Sequence, residues 1–465
     1  MPRSAQYVRM GLGACLLLVI GLTIGIYWER SGTERETVEQ ARLVDSPPAS
    51  SDDTPPTDAI PETAERAEPS VLVQALPIAP FVEKAIDWLA QSQHESGGWG
   101  AGSHTKQQIR DPSIVKTDPA TTAFSAMALV RAGHTTTTGE YREVVRRATE
   151  YLLRIVEKAP ADGGKITDIV GTQPQAKMGP LVDTSMTAQF LARILPTLAD
   201  SNPLHPRVDA ALEKCIDKIQ GSQLADGSWG KSGGWAPVLQ SSLGTTALEL
   251  AQAIGKNVDM DRLTHAREYQ KGNFDADSGE VRTGSSAGVA LYAFAGSQRA
   301  GAAEASAAKI MIDDAKVKGD LPASAEVSEE NLMTLGMHAG GARRLTAAFN
   351  SNERQIARLN DDKLLAGFGN NGGEEYLSYL MTSESLVIAG GEEWTKWNEK
   401  MHVRLEKIQN NDGSWAGHHC ITSPVFCTAA VVQCLTADRD AVLLAGLARS
   451  ECHPEDDSDV AGKDN

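Results

Sequence analysis

Gln409–Trp415 reads QNNDGSW, and the same spacing returns at Gln223–Trp229 (QLADGSW) and Gln93–Trp99 (QHESGGW): glutamine, then glycine four places on, then tryptophan six places on. A chain with 8 tryptophans does not readily give this three times by chance. Each copy follows a segment whose apolar residues recur at three and four places (FVEKAIDWLAQSQ, VDAALEKCIDKIQGSQ, MHVRLEKIQNN), so each closes an amphipathic helix. Inside the turn, glycine accepts the positive φ that ends a helix. Asp or Ser caps the next segment, and tryptophan buries a large ring whose N–H needs an acceptor, as does the glutamine amide. The turn reads as a clip between neighbouring helix pairs.

A second pattern follows. Apolar, small-residue helices open at Thr121 (TTAFSAMALVRAG), Thr184 (TSMTAQFLARIL), Thr245 (TTALELAQAIG), Ser286 (SAGVALYAFAG) and Cys427 (CTAAVVQCL). Thr-Ala steps at Thr122, Thr187, Thr246 and Thr428 imply a unit of roughly 40 to 60 residues with some copies degenerate. One helix of each pair is amphipathic and the other apolar nearly all round. The first belongs outside and the second inside a closed ring, which makes the fold all-α.

The chain has 465 residues, 41% of them hydrophobic, enough for a large core. A net charge of −17 and no cluster of Lys and Arg exclude nucleic acid as a partner. Residues 1–9 carry Arg3 and Arg9 ahead of an uninterrupted apolar run, 10–28, about long enough to cross a bilayer once. It reads as an uncleaved signal anchor with its basic flank cytoplasmic. Residues 29–79, rich in Pro, Ser, Thr and acids, cannot bury enough apolar surface to offset ordering and read as a disordered tether. The repeat domain then spans 80–440 and an acidic tail 441–465, with the folded part on the exported side of the membrane.

With its Gln–Gly–Trp turns and alternating helices, the chain resembles the α/α-toroid superfamily of squalene-hopene and other triterpene cyclases and the β subunits of protein prenyltransferases. The resemblance implies a barrel of about six helical hairpins around an apolar cavity. Protonating cyclases open an inner helix with Asp-x-Asp-Asp-Thr-Ala. Here Asp118–Ala123 reads DPATTA, which keeps Asp118, Thr122 and Ala123 but puts Ala120 and Thr121 where the two further acids belong. Without a carboxyl group held neutral there, acid-initiated cyclisation is not expected. Asp118 is then an N-terminal cap or a ligand contact.

The prenyltransferase branch holds a zinc near inner-helix starts, and Cys427 stands where one of its histidines would. His418, His419, Cys420 and Cys427 have zinc-compatible side chains, so zinc is a candidate cofactor. The alternatives are a Cys420–Cys427 disulfide, buried structural thiols, or a Cys-His nucleophile. Glu375, Tyr379 and Thr382 fall on one helix face, predicted to point into the ring, with Glu374 beside them. Glu375, Tyr379 and Asp183 are the candidate catalytic groups, and Glu374, Thr382 and Asp118 candidate ligand contacts. The bland reading makes the acids complements of helix dipoles. The functional expectation is a cavity that takes an isoprenoid-like apolar molecule or a peptide. The alternative is a non-catalytic scaffold in the cell envelope.

Overall fold

The computed structural model describes residues 73–230, 233–369 and 371–452. The apolar run 10–28, the tether up to residue 72 and the tail beyond residue 452 lie outside the described residues. In chain order the helices are α1 (Pro80–Gln91), α2 (Pro119–Arg131), α3 (Arg142–Lys158), α4 (Gln173–Met178), α5 (Val182–Ile194), α6 (His205–Gly221), α7 (Pro237–Ala253) and α8 (Met260–Lys271). They continue with α9 (Ala290–Lys318), α10 (Glu329–Thr334), α11 (Ala339–Ala357), α12 (Asp362–Leu365), α13 (Gly373–Ala389), α14 (Glu392–Glu406), α15 (Pro424–Leu435) and α16 (Ala441–Cys452). Among the described residues there is no strand, only isolated bridges. No helix among them is long and apolar enough to cross a membrane.

Six helices form a closed cycle of neighbours: α2 packs on α5, α5 on α7, α7 on α9, α9 on α13, α13 on α15, and α15 back on α2. Outside them lie α1, α3, α6, α8, α11 and α14, each against one or two ring helices. Periodicity explains the assignment. In α3 the buried residues Val145, Ala148, Leu152 and Val156 recur at three and four places, leaving a charged outer face. In α5 all residues from Val182 to Ile194 are buried. The second half of α9 leaves the ring and builds a smaller core with α10 and α11, around Ile312, Leu332 and Leu345.

The three clips share one geometry. Gln93, Gln223 and Gln409 each donate Nε2 to the turn glycine carbonyl (Gly97, Gly227, Gly413) and also to the start of the next outer helix, at Val144, Arg262 and Phe81. The tryptophan Nε1 donates back to the helix just ended, Trp99 to Leu89, Trp229 to Ile219 and Trp415 to Leu405, at 2.8–2.9 Å. The three glycines have φ between +84° and +99°, and a Cβ at Gly227 would stand 2.1 Å from the His265 carbonyl. Glycine is therefore required both for the turn and for the approach of the next outer helix. Thr122 and Thr428 accept from the tryptophan backbone N–H at 2.9 Å, which accounts for two of the four Thr-Ala steps, while the Trp229 N–H is received by Ser241 at 3.1 Å.

Two boundaries differ from expectation. Residues 73–79, the end of the expected tether, are held to the far side of the ring: the Leu76 N–H donates to Asp438 and its carbonyl accepts from Arg439. Residues 441–452, expected to open the acidic tail, instead form α16, which packs on α7, α9 and α13. Its Leu444 and Leu447 are fully buried, and that apolar face outweighs the acidic composition further on.

Candidate functional site

The six ring helices point the same way, so their N-termini crowd one end, the mouth. Asp118 caps α2, accepting from Thr121 N at 2.8 Å, Thr121 Oγ1 at 3.0 Å and Ala101 N at 2.9 Å. Asp183, in the first turn of α5, accepts from Ala120 N at 3.1 Å and Gln175 Nε2 at 2.6 Å. Both carboxylates are 1% exposed, and no arginine or lysine pairs with either among the described residues. Burial raises the Asp118 carboxyl; burial and then the charge of Asp118 push Asp183 up to about 7.

On the opposite wall, Glu374 and Glu375 open α13. Glu374 accepts from Ile421 N at 3.1 Å, and burial followed by the neighbouring Glu375 charge raises it to about 7. Glu375 accepts from Tyr292 OH at 2.6 Å and Phe368 N at 2.9 Å, and its second oxygen lies 3.5 Å from His419 Nε2. Glycines make this packing possible: a Cβ on Gly372 would stand 2.5 Å from that oxygen and 2.6 Å from His419 Cε1. Cys420 adopts φ +56°, a strained value for a residue with a side chain. Burial and the nearby Glu374 push its thiol up to about 12.

The mouth is bridged. Gln173 of α4 accepts from Thr422 N at 2.6 Å and Ser423 N at 3.2 Å, tying α4 to the start of α15. Gln107 Nε2 donates to the Cys420 carbonyl and Arg110 to the Gly417 carbonyl, so the first clip's loop crosses to the last clip's loop.

The expected site residues do not all meet here. Asp118, Asp183, Glu374 and Glu375 share the mouth. Tyr379 does not: its hydroxyl donates to the Leu365 carbonyl at 2.6 Å and its ring packs against Trp397 of α14, so the predicted inward face turns toward the outer layer. Thr382 is buried deeper in α13, its hydroxyl without a partner among the described residues. The expected zinc set is also split. His418 is exposed, while Cys427 is fully buried with its thiol toward the Ile421 carbonyl. Cys420 and Cys427 are free thiols, and no group of three or more His, Cys, Asp or Glu among the described residues is placed to hold a metal ion. The reason is local: Cys427 lies inside the first turn of α15, whereas His418 and His419 belong to a loop drawn toward α13 by the Gly372–His419 bridge.

The far end of the ring holds groups that sequence reasoning passed over. Glu384 pairs with Arg131, with Arg193 at 3.1 Å and with Arg299 at 3.0 Å, joining α13 to α2, α5 and α9 across the axis. Asp440 receives the Nε groups of Arg131 and Arg193, both at 2.7 Å. Glu249 binds Arg299 at 2.7 Å and Arg267 at 2.8 Å, Glu451 binds Arg267 at 2.5 Å and Arg344 at 3.2 Å, and Glu304 binds Arg344 at 2.8 Å. Burial alone would raise Glu384, but Arg131, Arg299 and Arg193 outweigh it and hold the carboxyl at about 2. The inner helices are thus apolar against their neighbours but ionic toward the axis at this end. The available signal was an arginine in the last turn of two otherwise apolar helices, Arg131 and Arg193.

Residues 72–164, which contain the first clip and Asp118, match the squalene-hopene cyclase C-terminal domain family. That match and the closed cycle of six inner helices support an α/α toroid similar to that of the squalene-hopene cyclases. No curated protein matches it. The matched segment of the toroid is the one that carries DPATTA, and there the structure gives Asp118 three hydrogen-bond donors and a capping role.

Proposed function

We propose that this toroid is an interaction module of the cell envelope that does not cyclise polyenes, with the mouth as its binding face. One observation carries the reading: Glu384 pairs with Arg131, Arg193 and Arg299 across the ring, filling the axis with charge where a hydrocarbon chain would need apolar walls. The bridging of the mouth by α4 and the isolated position of Asp118 in DPATTA support it. Residues 10–28 would anchor the protein in the membrane, and the stretch from residue 29 to the start of the toroid would hold it away from the bilayer on the exported side.

The test is to incubate the full-length protein in detergent with squalene and resolve the extracted lipids by mass. Unchanged squalene and no co-purifying polyprene are expected; a cyclised product overturns the reading. Protease applied to sealed vesicles with the exported face outward should digest the toroid and spare residues 1–9.

A second reading, an apolar small molecule held at a hairpin boundary, is favoured by one feature. A cavity of about 300 Å³ lies between Trp229, Leu224, Leu181 and Pro180, with Lys165 and Ser222 at its edge. That shape and lining suit a small apolar body with one polar contact. A solvatochromic apolar dye should fluoresce in the wild type and lose that signal when Leu224→Trp fills the space.

A further inference from the structure

At the mouth, α4 presents two donors on one face. Gln173 and Lys177 are four residues apart, 0% and 4% exposed, so their side chains stand over the same strip of the ring's opening. The Gln173 amide oxygen is committed to Thr422 and Ser423, which leaves its Nε2 without an acceptor among the described residues. The Lys177 ammonium has no hydrogen-bonded acceptor and no carboxylate within salt-bridge distance among them. It lies over the Trp235 ring, 4.0 Å from the centroid. A buried donor is almost always paired, and the Gln173 amide is the exception here, while the Lys177 ammonium beside it reaches solvent at the surface of the mouth. A buried amide without an acceptor next to a solvent-reaching ammonium, on one helix face, points to an acceptor group that binds there.

The surroundings say what kind. Trp235 is 66% exposed, with Lys177 on one side and the His104 ring edge at 6.3 Å, so much of its indole is open to a ligand. Gly233 and Gly234, at φ +110° and +100°, set it there, and a Cβ on Gly234 would stand 2.5 Å from the Met178 carbonyl. The charge of Lys177 reaches both Glu374 and Cys420. Glu374 already lies within reach of the Lys177 charge, so a second negative charge on the ligand would meet repulsion, while a single one matches the lysine.

We propose that Lys177, Gln173 and Trp235 form a subsite for the carboxylate of an organic ligand, with the ligand's flat or apolar body lying on Trp235. This rests on the mouth being the binding face. Two sources share the chemistry, a peptide C-terminus and a free carboxylic acid.

Calorimetric titration of the full-length protein with benzoate, with N-acetyl-Ala-Ala-Phe as free acid and as amide, and with inorganic phosphate decides between them. At least one carboxylate probe should bind, and amidation should weaken the peptide about tenfold or more, the loss expected for one charge-assisted hydrogen bond. Lys177→Met should abolish that difference. Trp235→Ala, an exposed change that leaves the fold alone, should weaken binding several-fold with an unchanged melting temperature. Equal binding of acid and amide, indifference to Lys177→Met in a folded variant, phosphate binding as tightly as carboxylate, or no carboxylate binding at all overturns the subsite. The squalene assay does not depend on this subsite, so failure here and failure of the broader reading give different results.

Discussion

At the far end of the ring Glu384 sits among three arginines and is held at about 2; at the mouth Asp183 has Asp118 for its charged neighbour and rises to about 7. The two carboxylates are buried to a similar degree, so burial does not separate them. The sign of the nearest charge does. The far end is a network in which five arginines and Lys271 meet five acids, Asp440, Glu384, Glu249, Glu451 and Glu304, joining the ring helices to the turn residue Asp440 and to α16. At the mouth the acids have backbone N–H groups, amides and a tyrosine for partners instead. One end is tied together by ion pairs, and the other keeps buried carboxyl groups with no lysine or arginine paired to them among the described residues.

The comparison is broken most directly at Glu384. Glu384→Ala leaves three buried guanidinium groups facing each other, and losing one partner of a buried ion pair typically costs about 3–5 kcal/mol. Thermal unfolding should show a loss of that order. A variant as stable as wild type would mean that the network does not close the far end.

The pH dependence sharpens it. A carboxyl raised in the folded state holds a proton that the unfolded chain has released, so what Asp183 and Glu374 contribute is present below about pH 4 and lost as pH climbs through about 7. Glu384 runs the other way: its contribution is present above its ordinary value and is lost as pH falls toward about 2. Between pH 5 and 8 stability should therefore fall, by something on the order of 1–3 kcal/mol. Asp183→Asn should flatten that fall, as measured by denaturant midpoints across the range. An unchanged slope would place the titration elsewhere.

The smallest expected effect is at Tyr292. Tyr292→Phe removes the hydroxyl that Glu375 accepts from, for a loss of about 1 kcal/mol. If the same substitution also loosens the Phe368 loop, hydrogen exchange at Phe368 N, which donates to the same oxygen, should quicken.

Much of the architecture was legible in the chain. The Gln–Gly–Trp spacing marked three hairpin junctions, because each residue there acts locally, as a turn, a buried ring or a pair of amide bonds. The Thr-Ala steps marked inner helices, because Thr122 and Thr428 serve the clip tryptophans. The site was less legible. Glu374, Glu375, Asp118 and Asp183 were found as residues opening inner helices, which is a local feature. Tyr379 was misplaced because a helix buried on all sides gives no periodicity from which to tell the axis from the outer layer. His418, His419, Cys420 and Cys427 looked like a ligand set by proximity in sequence, but the start of α15 separates them in space. Lys177 and Trp235 gave no signal, since each is ordinary until α4 brings it to the mouth.

The sequence by itself determined that the protein is helical, paired and closed by repeated clips, since periodicity, capping and turn chemistry act over a few residues. The tertiary structure alone decided which buried acids are neutralised and which are not. That depends on charges contributed by helices far apart in the chain, Arg131, Arg193 and Arg299 around Glu384. Coulomb forces at a few ångströms follow distance in space, and no local pattern in the chain records it.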